Sequence, residues 1–79
     1  MKLNKFTLNH DYVFTFNFEN GLEKTVDISS LIKDKVNVES LKTAHIDSDW
    51  GCLEFDEGAI DIEPKTLYNF VLLNIEKQA

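Results

Sequence analysis

The feature that most constrains the fold is the segment of residues 55–68, in which two short strands lead through a proline into an apolar helix. Its alternating apolar and polar residues are interrupted at Glu57-Gly58, which is typical of a tight β-hairpin. Pro64 then suits the first position of a helix, because the N–H that proline lacks would have no partner there. The pattern predicts strands over residues 50–55 and 59–62 and a helix over residues 64–76.

Two registers compete in this hairpin. A two-residue turn pairs Leu53 with Ile62 on the core face, but it places Glu54 opposite Asp61, and like charges directly opposed are mildly destabilising. A three-residue turn separates the two acids but sets Leu53 against Asp61. We favour the two-residue turn, because it keeps the apolar side chains on one face.

The clearest strand signal is the aromatic alternation in residues 11–18, which a turn ending at Gly21 joins to a second strand over residues 22–28. A two-residue loop would place acids on the aromatic face, whereas a three-residue loop pairs Phe14 with Val26. A shift of one residue turns every side chain to the other face, so burial selects the three-residue loop. Gly21 supplies the left-handed residue that such a loop requires.

Shorter elements fill the rest of the chain. Residues 3–8 are predicted to form a first strand, and Ile46 a brief one. Between the hairpins, Ser29 and Ser30 are candidate caps of a short helical turn. We expect Asn37 to cap a second short helix over residues 38–44, with its apolar side chains Val38, Leu41 and Ala44 turned inward.

The final helix carries an unusually broad apolar surface. One stripe at helical spacing comprises Leu67, Tyr68, Val71, Leu72 and Ile75, while Phe70 and Leu73 fall outside it. Such a helix is either embedded in its own domain or shared with a partner. The prediction is a single α+β domain over residues 1–79: a small antiparallel sheet of about five short strands, one or two short helices, and a C-terminal helix packed on the sheet.

The distribution of charge narrows the classes of partner. The net charge is −6, and residues 47–63 contain seven acids but no Lys or Arg. A nucleic-acid backbone requires clustered Lys and Arg, so we expect no direct nucleic-acid binding. Two interpretations of the acidic stretch stay open: a solvated face that keeps a small protein soluble, or a docking surface for a basic partner.

The single cysteine bears on the compartment. Cys52 cannot form an intramolecular disulfide, which fits a reducing cytoplasm. The amino terminus contains no apolar run long enough for a signal peptide or a membrane span. We therefore expect a cytoplasmic protein that does not bind membranes.

The residue types that carry chemistry are sparse. His10, His45 and Cys52 are the only soft metal ligands, and no pair of them has zinc spacing, so we expect neither metal nor cofactor. Neighbouring acids raise a thiol pKa, which makes Cys52 a poor nucleophile. Glu54 and Asp61 could in principle act as an acid–base pair, but so small a chain has little volume for an enclosed pocket. We predict no enzymatic activity.

Exposed aromatic residues and acids are better candidates for binding. Trp50 has outward parity if Leu53 faces the core, so it either packs at an edge or anchors a contact. The candidate partner-binding residues are Trp50, Glu54, Asp56, Glu57, Asp61, Phe70 and Leu73.

Several short motifs carry a resemblance to a known family. The runs Phe18-Glu19-Asn20-Gly21-Leu22, Val26-Asp27-Ile28 and Gly58-Ala59-Ile60-Asp61-Ile62-Glu63-Pro64 resemble, in order and spacing, the bacterial family catalogued as domain of unknown function 2442 (DUF2442). The resemblance covers nearly the whole chain, with one departure: many members have Trp where this chain has Phe55. It implies a small α+β domain without established catalytic residues. Members are sometimes fused to a helix-turn-helix segment and are often encoded beside another small protein in proposed toxin–antitoxin pairs.

These observations lead to two hypotheses of function. The first is a non-enzymatic interaction module that binds a small basic protein, as the antitoxin-like or regulatory member of a two-protein pair. The alternative is a self-associating structural domain that forms a homodimer through its C-terminal helix.

Overall fold

The computed structural model describes residues 1–78, with side chains given for residues 1–74, and these residues form two three-stranded antiparallel sheets. The first sheet contains β1 (Leu3–His10), β2 (Val13–Phe18) and β3 (Glu23–Asp27); the second contains β4 (His45–Ile46), β5 (Leu53–Phe55) and β6 (Ile60–Ile62). Between them lie α1 (Ser29–Ile32) and a 3₁₀ helix (Ser40–Thr43), and α2 (Pro64–Gln78) follows β6. The predicted α+β class is confirmed, with the strands divided between two sheets.

The predicted register of the first hairpin is confirmed. Phe14 pairs with Val26, and the Phe18 N–H donates to the Leu22 carbonyl at 2.9 Å. Gly21 has the expected left-handed backbone, with a φ of 91°. β2 starts at Val13, later than the predicted residue 11, because residues 11–12 form the turn that joins β1 to β2, where Asp11 has a φ of 44°.

A row of phenylalanine rings on β2 forms the centre of the core. Phe14, Phe16 and Phe18 are fully buried, and the rings of the first two stack with centroids 5.3 Å apart. Phe55 of the second sheet meets Phe14 edge-on at 6.4 Å, and Tyr68 of α2 meets Phe18 edge-on at 5.1 Å. The two sheets and the helix therefore share one core.

The second hairpin has the two-residue register, so Leu53 pairs with Ile62 and Glu54 stands opposite Asp61 as predicted. Glu57 and Gly58 have φ of 58° and 90°, as the central residues of a two-residue hairpin turn require, and Asp56 before them is also left-handed, with a φ of 54°. A left-handed backbone costs a residue with a side chain about 1–2 kcal/mol. The register is kept in spite of this strain.

The start of β5 and the short helices differ from expectation in detail. The strand predicted from residue 50 begins only at Leu53, because the Gly51 N–H closes a turn onto the Asp47 carbonyl at 2.8 Å. Ser29 and Ser30 do not cap α1; the Asp27 carboxylate accepts the Ser29 N–H at 2.8 Å instead.

The second short helix is a 3₁₀ helix that begins at Ser40 instead of residue 38, and its N-cap residue, Glu39, forms no side-chain cap hydrogen bond, although the predicted cap Asn37 still binds its first N–H. The Asn37 side-chain oxygen accepts the Ser40 N–H at 2.9 Å. Val38 was expected to face inward but is 54% exposed, because it lies in the capping loop rather than in the helix. Leu41 is buried as predicted, and Ala44 is partly buried.

Helix α2 begins at Pro64 as predicted and packs against β3. Leu67 and Val71 are fully buried, whereas Leu72, also expected in the stripe, is 41% exposed. The buried face is centred on the first two of these, and Leu72 lies about 100° around the helix from Val71. The side chain of Ile75 lies outside the described residues. Within residues 1–78, no helix has both the length and the apolar character needed to span a bilayer.

Two glycines offer a matched test of how the first strand joins the second sheet. A Cβ at Gly51, whose φ is 73°, would lie 2.7 Å from the Cβ of Lys2, while a Cβ at Gly21 would meet nothing within 4 Å. Gly21→Ala should lose about 1 kcal/mol of unfolding free energy through backbone strain. Gly51→Ala should lose roughly 1–3 kcal/mol more, because the backbone and side chain of Lys2 must move. Urea denaturation measures both, and equal losses would contradict this close approach.

Candidate functional site

The outer face of the second sheet brings several acids together. Leu53 and Phe55 point into the core, so Cys52 and Glu54 point away from it. The sheet places Asp61 of β6 on one side of Glu54 and His45 of β4 on the other. Asp47 lies beside Cys52, to whose carbonyl its N–H donates at 2.9 Å. We call the four carboxylates around Cys52 the acidic face: Asp47, Glu54, Asp61 and Glu63.

Cys52 lies partly buried at the centre of the acidic face. Burial raises the pKa of its thiol, and the negative charges of the four surrounding carboxylates raise this pKa further. A thiol in these surroundings remains protonated at neutral pH, as expected of a small packed residue. Among the described residues, no three His, Cys, Asp or Glu side chains are grouped so as to hold a metal ion.

His45 links the acidic face to the 3₁₀ helix. Its Nε2 lies 2.8 Å from Glu54 Oε1, and its Nδ1 lies 3.1 Å from the Thr43 carbonyl oxygen. Both partners are acceptors, so only the doubly protonated ring can donate to both. The Thr43 carbonyl, and then Glu54, raise the pKa of His45. Protonated His45 therefore offsets part of the charge of Glu54.

An open groove of about 530 Å³ lies on the acidic face and is lined by Asp47, Asp61 and Glu63. Trp50 and Asp61, both candidate binding residues, line it together. The indole of Trp50 is 72% exposed. Two lysines also border the groove: Lys2, whose Nζ donates to the Asp49 carbonyl at 3.3 Å, and Lys65. The arrangement offers carboxylates and an exposed aromatic ring, to which cations bind well.

The other candidate residues lie outside this groove. Asp56 and Glu57 form the tip of the second hairpin, where the Asp56 N–H donates to Thr43 Oγ1 at 2.8 Å. Asp56 is thus tied into the fold, and Glu57 is exposed. On α2, Phe70 is partly buried against the core and Leu73 is 63% exposed. The structure therefore joins Trp50 with Asp61, and Glu54 with Asp61, but leaves the helix residues separate.

Sequence reasoning missed the roles of four residues in the site. Asp47 and Glu63 belong to the acidic stretch, but only the strand pairing shows that they share a face with Asp61. Lys2 is far away in the chain and reaches the groove through the contact of the first strand with Gly51. The His45–Glu54 contact depends on the two-residue strand β4, whose register no sequence pattern indicates.

The ring of His45 predicts a pH-dependent contribution to stability. Its folded-state pKa is raised above the unfolded value of about 6.5. The contribution is therefore fully present below about pH 6.5 and is lost as the pH rises through the folded value. Thermal unfolding should show that His45→Gln lowers the melting temperature more at about pH 5.5 than at about pH 9.

A double variant separates the two partners of the ring. In a Glu54→Gln background, the pH-dependent effect of His45→Gln should shrink but persist, because the Thr43 carbonyl still accepts a hydrogen bond. An effect of His45→Gln that is the same at both pH values would show that the imidazolium is not the species in the folded protein.

Comparison with known proteins identifies the family. The model of the family described as "Protein of unknown function (DUF2442)" matches residues 5–71, which is most of the chain. No curated protein and no solved structure matches the chain. The matched segment contains both sheets, apart from the first two residues of β1, and the buried part of α2. The chain belongs to the DUF2442 family, as the resemblance of its hairpin motifs implied.

Proposed function

We propose that the protein is a non-enzymatic interaction module that binds a small basic protein through the acidic face and Trp50. It would act as the antitoxin-like or regulatory member of a two-protein pair. The observation that carries this proposal is that four carboxylates from three separate segments of the chain lie on one face, and three of them, Asp47, Asp61 and Glu63, line a groove with the exposed indole of Trp50. Complementary charge speeds encounter and selects the partner, while a buried aromatic ring supplies most of the affinity.

The carboxylates of the acidic face differ in their availability. Glu54 is engaged by His45, and Asp47 Oδ1 accepts the Asp49 N–H at 2.8 Å. In the part of the chain that the structure describes, no side-chain hydrogen bond or ion pair engages Asp61 or Glu63, and both residues are exposed. These two are therefore best placed to receive a lysine or arginine of the partner.

Removing charge from the acidic face tests the proposal against the interpretation that the acids only keep the protein soluble. The variant Glu54→Gln/Asp61→Asn/Glu63→Gln should bind the product of the neighbouring gene at least about tenfold more weakly, since close charge pairs contribute 1.5 kcal/mol or more. Binding is measured by titration calorimetry in about 0.1 M salt.

The control removes the same number of charges elsewhere. Glu23→Gln/Asp34→Asn/Glu39→Gln alters three exposed acids that lie outside the acidic face. Its affinity should stay near that of the unmodified protein. Equal weakening by both triple variants would mean that net charge, and not this surface, governs binding.

A second function is favoured by the exposed apolar side chains of α2. Leu72 and Leu73 are 41% and 63% exposed, which suits a helix that packs against a second copy. Under this reading the protein is a homodimer, and its interface is the outer side of α2.

Sedimentation tests this second function. Leu73→Glu should convert a dimer into a monomer, because a carboxylate in an apolar interface lacks a partner. Val38→Glu is the matched control, since Val38 is 54% exposed but lies outside α2, and it should leave the dimer intact. Finding the unmodified protein monomeric at about 0.1 mM would exclude this reading.

A further inference from the structure

A second, smaller groove of about 250 Å³ runs along one side of β6. It is lined by the four consecutive residues 60–63, and across from them by Leu31 and Ile32 of α1. Successive side chains of a strand point to opposite faces, so a groove that touches all four follows the edge of the strand. Of residues 60–63, only Asp61 and Glu63 line the larger groove that contains Trp50, so that groove lies on the outer face of the sheet.

The alternation of hydrogen-bonded residues in the second sheet shows which backbone groups face the unpaired edge of β6. The Asp47 N–H donates to the Cys52 carbonyl, so Cys52 and Glu54 direct their backbone groups toward β4. Leu53, between them, directs its groups toward β6 and forms a hydrogen-bonded pair with Ile62. By the same alternation, the N–H and carbonyl of Asp61 point away from β5.

These groups of Asp61 lie at an open edge. β6 is the last strand of its sheet. Among residues 1–78, no backbone hydrogen bond outside the sheet ladder involves the N–H or the carbonyl of Asp61. Unpaired groups on an edge strand are a template for another extended segment.

We propose that β6 binds an extended segment of a partner protein as an added antiparallel strand, in which basic residues alternate with apolar ones. This inference rests on the proposed function, because Asp61 and Glu63 belong to the acidic face. A residue opposite Asp61 projects its side chain to the outer face, where the two free carboxylates lie and a long basic side chain can reach Trp50. Its neighbours project toward Leu31, Ile32 and Ile60, which are apolar.

The charges in the groove favour such a partner over other occupants. Lys35 lines the edge groove and repels a basic residue on the inner side, which leaves those positions to apolar residues. On the outer face Lys2 and Lys65 are outnumbered by three carboxylates, and Lys2 donates to the Asp49 carbonyl. A second copy of this chain is a poor occupant, because antiparallel pairing of two β6 strands about Asp61 sets its carboxylate against its own counterpart. Like charges directly opposed are destabilising.

The test uses a synthetic peptide of six residues, with Lys and Val alternating and both ends blocked. The fluorescence of Trp50, the single tryptophan of the chain, reports binding. In an antiparallel addition, a Lys opposite Asp61 exchanges both backbone hydrogen bonds with it. N-methylation of the Lys amides should therefore weaken binding at least about tenfold, and N-methylation of the Val amides should leave it nearly unchanged.

Two variants examine the same hydrogen bonds from the protein's side. Asp61→Asn and Asp61→Pro both lose the carboxylate, but only Asp61→Pro loses the outward N–H, and proline is tolerated on edge strands. Asp61→Pro should bind the parent peptide more weakly than Asp61→Asn. The peptide series uses the unmodified protein, so it decides the question even if Asp61→Pro fails to fold.

The outcomes separate this inference from the proposed function. Loss of binding in one methylated peptide but not the other supports an added strand, and loss in the Val series instead of the Lys series makes it parallel. Equal binding of both methylated peptides overturns the added strand; the proposed function stands if the acidic-face triple variant still loses its protein partner. If the parent peptide does not bind, the added strand is overturned. If the protein partner does not bind either, the proposed function is overturned with it.

Discussion

The contact between Phe14 and Phe55 determines most of what the surface of this protein presents. It joins the two sheets, with Phe14 also stacked on Phe16. Once Phe55 faces this core, Leu53 faces it as well, and the residues that alternate with them must point outward. The acidic face is thus the reverse side of the core: Glu54 lies outside because its two neighbours are inside.

Magnitudes explain why this arrangement tolerates opposed acids and a strained turn. Burying Leu53, Phe55 and Ile62 contributes roughly 1.5–3 kcal/mol each. The opposition of Glu54 and Asp61 costs about 1 kcal/mol or less, and the left-handed turn residues cost about 1–2 kcal/mol each. A register shifted by one residue would relieve the charges but expose the apolar side chains. Burial therefore wins, and the acids are left together on the surface.

The same reasoning shows which parts of the structure could be predicted. Where burial and turn chemistry agree, as for Phe14 with Val26 and for Leu53 with Ile62, the register follows from the sequence. Prediction was wrong where tertiary contacts decide. Leu72 has helical spacing suited to the core, yet the helix turns it toward solvent.

The site was predictable in composition but not in shape. The acidic stretch and the outward parity of Trp50 are visible in the sequence, although a turn and not a strand holds Trp50 outward. The grooves are not visible, because each is built from segments distant in the chain, such as Lys2 beside Trp50 and Leu31 beside Ile60. No local sequence pattern predicts contacts between residues so far apart in the chain.

The open edge of β6 also follows from the topology. β5 pairs with one edge of β6. The chain after Ile62 enters α2 at Pro64, which leaves too few residues to form a strand along the other edge. An edge left open in this way requires protection against pairing with identical chains, and charged residues on the edge provide it. Asp61 and Glu63 supply that protection by mutual repulsion between copies. Acids that repel each other attract basic groups, so the feature that disfavours pairing of two β6 edges also favours the proposed basic strand.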